Sequence, residues 1–271
     1  MVEEDGVTDF GAVVARCFAA QGAVNGDKVL VAGVGPGWHL ELPAAAAATP
    51  VADAPAPAAD SLRIAWRYRN VGVRPDAPAT PASFRRDWIL TARMVPAARV
   101  EYAPADLDGV LTAVRRALAA PGVVRLVLPG FLAPLAWPLE AIDPAKLVPF
   151  AARLRALLRT HSDRLVVLLT TPTALLADAE PVLPLLRGLV DGAVALRPFT
   201  EATDPYKGSS TDQPRAQGLV DVLKVPVLSD RGLMLVRRGE LAFRVSKHRF
   251  VIEDWGIPIT ADEPQPGSDI Y

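Results

Sequence analysis

The side chains able to do chemistry are thinly spread along this chain. A phosphate-cradling loop needs glycines that bare backbone N–H groups, a lysine for the β- and γ-phosphates and a Ser or Thr for magnesium. No GxxxxGK[ST] pattern occurs in the sequence. The nearest feature is Gly33-Val34-Gly35-Pro36-Gly37, directly after an apolar run. Pro36 has no N–H to offer, and His39-Leu40 stands where a dinucleotide fingerprint places its third glycine. Two readings stay open there, a tight turn at a strand end and a nucleotide-binding turn. An α/β methyltransferase-like use of that turn requires a ribose-binding carboxylate about 20 residues on. Asp53 fits the count but sits, like Asp60, in an Ala/Pro-rich stretch that reads as solvated linker. A carboxylate for magnesium at the end of a buried strand is missing as well, since Val123–Leu128 runs into Pro129-Gly130-Phe131. Two separate parts of a phosphoryl-transfer site are therefore absent.

Other chemistries fare no better. The three histidines, His39, His161 and His248, are far apart and give no metal-ligand spacing. Ser162 follows His161, but no GxSxG elbow surrounds any serine. His248 sits in Ser246-Lys247-His248-Arg249 and reads as either a catalytic base or a solvated, partner-facing ring. The acidic run Glu3-Glu4-Asp5 reads as a solvated strand end. Trp66-Arg67-Tyr68-Arg69-Asn70 offers stacking and phosphate contacts, or, by strand alternation, an aromatic packing face and an arginine face. Arg237, Arg238, Arg244, Lys247, His248 and Arg249 form the better basic patch, read either as a binding surface or as sheet-edge charges that discourage aggregation.

These residues must be held by an α/β framework. Thr8 or Asp9 caps a helix through Phe10, Val13, Val14, Cys17 and Phe18, which Gly22 and Gly26 end. Lys28–Ala32 is a continuous apolar run, the mark of a strand buried on both faces. Residues 44–60 read as a flexible insertion of Ala, Pro, Val, Thr and Asp. Leu62–Tyr68 reads as a second strand, and Ser83–Leu90 as a short helix or irregular crossing. Amphipathic helices follow at Asp106–Ala120 and Pro144–His161, each leading to an apolar strand, Val123–Leu128 and Arg164–Thr170. A helix at Pro181–Val190 precedes a fifth strand at Gly192–Leu196. The last third changes to short β-like runs, Leu219–Val225, Leu241–Val245 and Phe250–Ile252, an antiparallel extension of the sheet. The expected plan is one domain over residues 1–258, with a mostly parallel sheet, helices on both faces and a disordered acidic tail at 259–271.

Composition sets outer bounds. The 271 residues carry 29 basic and 30 acidic side chains, a net charge of −1, so nucleic acid would have to be met by a local basic patch. Five of the basic residues are lysine and the rest arginine; beside abundant Ala and Pro, this excess reads mainly as codon composition. Hydrophobic residues at 51% suffice for a core. The single Cys17 excludes an internal disulfide and a Cys-rich zinc site, and with no secretory leader it points to the cytoplasm or nucleus. No apolar run is long enough to span a membrane.

Several segments, in order, resemble one family. They are Val2-Glu3-Glu4-Asp5, Phe18-Ala19-Ala20-Gln21-Gly22 with Gly26 after it, Glu41-Leu42-Pro43 and Ile64-Ala65-Trp66-Arg67-Tyr68. Then come Leu157-Leu158-Arg159-Thr160, Asp204-Pro205-Tyr206-Lys207, Gly218-Leu219-Val220-Asp221-Val222 and the Pro226 turn. Glu240-Leu241-Ala242-Phe243-Arg244-Val245 with Arg249-Phe250-Val251-Ile252-Glu253 completes the series. Together they resemble the PAXNEB family, the fourth subunits of the Elongator complex; the IAWRY and LAFR…RF.IE blocks are the specific ones.

The resemblance implies a RecA-like α/β fold that has lost the Walker lysine and carboxylate. It implies a non-catalytic subunit without cofactor or metal, joined to the fifth and sixth Elongator subunits in a heterohexameric ring. That ring binds tRNA and docks on the remaining subunits, which modify wobble uridines. On this view Arg237, Arg238, Lys247 and Arg249 are the candidate tRNA-binding residues. The alternative is a RecA- or clock-type ATPase whose phosphate loop lies outside the sequence. Family members carry a glycine-rich segment and a strand before the acidic box, whereas Met1 falls almost on it here. Either the sequence begins late or the lineage lost that strand; since a missing central strand would expose its neighbours' backbone groups, the expectation is that the sequence begins late.

Overall fold

The computed structural model describes residues 1–5, 8–46, 87–95, 97–176, 182–205, 215–227 and 240–255. Among them six strands run parallel, and the inner apolar ones are covered on both faces. The six are β1 (Val2–Glu4), β2 (Lys28–Val31), β5 (Val100–Tyr102), β6 (Val124–Leu128), β7 (Leu165–Pro172) and β8 (Ala193–Pro198). Antiparallel β9 (Gly218–Lys224), β10 (Leu241–Val245) and β11 (Phe250–Asp254) extend the sheet to the order β5-β2-β6-β7-β1-β8-β9-β10-β11. A separate antiparallel pair, β3 (Pro43–Ala45) and β4 (Trp88–Arg93), packs against the first helix.

Helix α1 (Phe10–Asn25) covers one face through its small residues Gly11, Ala15, Ala19, Ala20 and Gly22, over Val29, Val31 and Val127. The other face is covered by α2 (Leu107–Leu118), α3 (Pro144–Thr160) and α4 (Val182–Leu189). Val110, Leu111 and Val114 of α2 and Leu147, Phe150 and Leu154 of α3 close over Leu30, Leu126 and Leu128. Asp106 caps α2 on the Gly109 N–H at 2.6 Å and Asp143 caps α3 on Ala145 at 2.9 Å. All four helices lie in strand–helix–strand connections and so run opposite to the parallel strands. Every helix therefore starts at the end of the sheet where those strands finish, the carboxyl edge. This mostly parallel, helix-flanked sheet with an antiparallel extension is the RecA-like plan that the resemblance implies.

The structure departs from expectation in several places. Val2–Glu4 is not a solvated strand end: β1 lies mid-sheet, pairing Val2 with Thr170 on one side and Val194 on the other. The acidic box itself thus forms a central strand. Helix α1 runs through Gly22, which faces the sheet, and stops at Gly26 in the left-handed region (φ 77°). Pro43–Ala45 is a strand where the insertion was expected to begin, and Trp88–Arg93 is a strand rather than a short helix or irregular crossing. Residues 47–60, the strand expected at Leu62–Tyr68 and the tail at 259–271 lie outside the described residues. Among the described residues no helix is long and apolar enough to cross a membrane, and no cluster of three metal-ligating side chains occurs.

Candidate functional site at the first strand–helix turn

In an open α/β sheet, ligands bind at the carboxyl edge where successive crossovers leave in opposite directions. Here that point is the end of β1, between β7 and β8. The turn leads into α1, whose first N–H groups have no partner within the helix and whose dipole favours an anion. The anion is supplied by the chain itself. The Glu4 carboxylate accepts from Phe10 N at 2.6 Å, Gly11 N at 2.8 Å and Thr8 Oγ1 at 2.6 Å. Asp9, at the usual capping position, makes no side-chain cap bond. Gly11 makes the approach feasible, because a Cβ there would lie 2.9 Å from Glu4 Oε2. A phosphate seated on these donors would have to displace a side chain that is 6% exposed.

The two neighbouring carboxylates are committed as well. Strand alternation sends Glu3 to the opposite face, where Arg187 of α4 grips it with Nε at 2.6 Å and Nη2 at 2.5 Å. Asp5 accepts from Thr173 Oγ1 at 2.5 Å and from Arg197 Nη1 at 3.0 Å. Arg197 also bonds Asp221 across to β9. These hydrogen bonds raise both guanidinium pKa values, through Glu3 for Arg187 and Asp221 for Arg197. At the adjacent end of β7, Thr170 Oγ1 accepts from Gly130 N at 2.9 Å and Thr170 O from Phe131 N at 2.7 Å, while the buried Thr171 Oγ1 meets no hydrogen-bond partner among the described residues. Chemically the arrangement is a set of saturated acid–base pairs that lock β1 to α1, α4, β8 and β9.

The residues singled out in the sequence are scattered. Lys247 and Arg249 share the exposed turn between β10 and β11, at the carboxyl edge; Arg249 pairs with Asp87 at 3.3 Å. Arg244 lies on β10 beside Glu253 at 3.7 Å. His248 N contacts Ser246 Oγ at 3.3 Å. Arg237, Arg238, Asp53, Asp60 and Trp66–Asn70 lie outside the described residues. Gly33 has φ 81° and packs under Trp137, whose Nε1 would be 2.6 Å from a Cβ there, so this turn closes on an indole. His39 is turned to the Tyr102 hydroxyl at 2.8 Å, and His161 to Arg164 at 3.5 Å. Glu4 was missed as a cap. The available signal was a glutamate, then a Thr-Asp pair, ahead of a helical run.

With the geometry in view, the chain can be set beside known proteins. It matches the family described as PAXNEB protein over residues 1–269. Elongator complex protein 4 of Saccharomyces cerevisiae is 27% identical over 227 residues, which take in 77% of this chain and 49% of that protein. Its namesake in Schizosaccharomyces pombe is 28% identical over 295 residues, covering 97% of this chain and 80% of that protein. The chain thus spans about half the length of the first relative. A DnaB-like replicative helicase aligns with a TM-score of 0.48 and 15% identity, covering 92% of this chain and 56% of its own. FlaH, a flagellar accessory protein from Methanocaldococcus jannaschii, aligns with 0.46 and 14%, covering 93% and 88%.

Proposed function

Because the chain belongs to the PAXNEB family, we propose that it is a non-catalytic Elongator subunit of the fourth kind. In this reading it joins the fifth and sixth subunits in a heterohexameric RecA-like ring, in the cytoplasm and nucleus. The ring binds tRNA and supports wobble uridine modification carried out elsewhere in the complex. The observation that carries the non-catalytic part is the Glu4 carboxylate on the first N–H groups of α1. A nucleotidase keeps those donors for phosphate; here a buried side chain holds them, and the sequence has no Walker lysine. The names of the two Elongator relatives support the complex.

Two measurements test the reading. Sedimentation of the chain mixed with its two presumed RecA-like partners is expected to give a single species of six chains; three separate species would overturn the ring. A non-hydrolysable ATP analogue titrated into the chain alone is expected to give no binding isotherm. Tight, magnesium-dependent binding would instead establish the ATPase alternative.

A further inference from the structure

The shared direction of the four helices sorts charge along the molecule. At the carboxyl edge, Asp9 precedes α1, Asp106 caps α2 with Asp108 in its first turn, and Asp143 caps α3. Their last turns, at the opposite, amino edge, carry Arg115 and Arg116 on α2, Arg159 on α3 and Arg187 on α4. Helix dipoles favour this arrangement, but the carbonyls that end α2 are already served from elsewhere. Lys28 Nζ donates to Ala117 O at 3.1 Å, and Arg164 Nη2 donates to Leu118 O at 2.8 Å. The side chains of Arg115 and Arg159 are exposed and make no hydrogen bond or ion pair with any described residue. Among the described residues the carboxylate that Arg116 meets is Glu101, at 3.9 Å, and the arginine remains 71% exposed. Because α2 and α3 pack side by side and both end at the amino edge, these exposed arginines are carried at the same end of the sheet.

From this we infer that the amino edge, through Arg115, Arg116 and Arg159, is the face that takes a nucleic-acid backbone. The inference rests on the tRNA reading proposed above and gives it a location. Guanidinium groups match phosphate oxygens in planar pairs. The segments that follow α2 and α3, residues 119–122 and 161–163, contain small or polar residues and one carboxylate, Asp163. They lack the large apolar anchors that a protein partner needs at the centre of an interface. The β10–β11 turn is the weaker candidate, since it rises from the acidic edge and Arg249 is paired with Asp87.

Fluorescence anisotropy with labelled bulk tRNA and the full chain assembled with its two presumed RecA-like partners tests this at about 50 mM salt and above, where phosphate contacts dominate affinity. The pair R115E/R159E is expected to weaken binding at least about tenfold and to lower the salt slope by about two. The neutral pair R115Q/R159Q should fall between that and wild type. K247E/R249E should stay within about twofold of wild type, the range of small losses at uninvolved sites. Thermal melting checks that each variant is folded. Wild-type affinity in R115E/R159E, or the larger loss in K247E/R249E, overturns the location while leaving the tRNA reading intact. Absence of tRNA binding by wild type overturns both. Competition by polyglutamate as strong as by RNA reassigns these arginines to an acidic protein segment and overturns the nucleic-acid assignment.

Discussion

Glu4 shares one negative charge among three donors while buried, so truncating it uncovers two backbone N–H groups. Glu4→Ala is expected to lower the unfolding free energy by about 2–3 kcal/mol, as for a lost charged cap. Urea denaturation measures this, and a change inside error would mean that the carboxylate adds nothing. Across the sheet, Arg187→Ala strands Glu3 at 1% exposure without its partner. The expected loss is about 2–3 kcal/mol, below the value for a fully buried pair because the arginine is 42% exposed. Cys17 is a different case: burial pushes its thiol up to about 11 from 9.0. At pH 8 iodoacetamide should alkylate it about a hundredfold more slowly in the folded chain than in urea, since only thiolate reacts. A raised folded pKa also means that the thiol's contribution is intact below about pH 9 and is lost as pH rises towards 11. Apart from the signal for the Glu4 cap, the letters alone do not separate these roles. Glu3, Glu4 and Asp5 are adjacent acids, and what separates them is Arg187 on one face, an N-terminal helix turn on the other and Arg197 at the edge.

Elements were legible where they carried their own signals. The α2 and α3 ranges follow from a 3.6-residue apolar period with an aspartate cap in front. The continuous apolar runs of β2, β6 and β7 announce strands buried on both faces. Strands of three residues, such as β1, β3 and β5, are too short to show any period. Helix α1 outran its expected end because Gly22 is there for closeness, not termination. A Cβ at that position would lie 2.6 Å from Arg125 Cδ and 2.9 Å from Val29 Cγ2. Arg125 is held by Asp27 at 2.6 Å and cannot swing away without breaking that pair. Gly22→Ala is therefore expected to destabilise by about 1–2 kcal/mol, although alanine is the better helix former by about 1 kcal/mol. A rise in melting temperature would show that α1 has slack over β2.

At the scale of the whole molecule, the sheet has a centre and two unequal wings. β1, β7 and β6 have neighbours on both sides, while β10 and β11 form the outer end of an antiparallel wing. Native-state hydrogen exchange should be slowest at the amides of β6 and β7 and fastest, among the strands, in β11; equal protection would contradict a graded sheet. The strands themselves were readable in sequence, but their order was not. It depends on inserting β1 between partners more than 160 residues away, Thr170 and Val194, and no local pattern encodes that. This insertion also bears on biosynthesis. A ribosome adding about 5–20 residues per second releases the acidic box many seconds before either flanking strand exists. During that interval two glutamates and an aspartate keep the waiting segment hydrated, and the same carboxylates become locking pairs once the nascent polypeptide delivers Arg187 and Arg197.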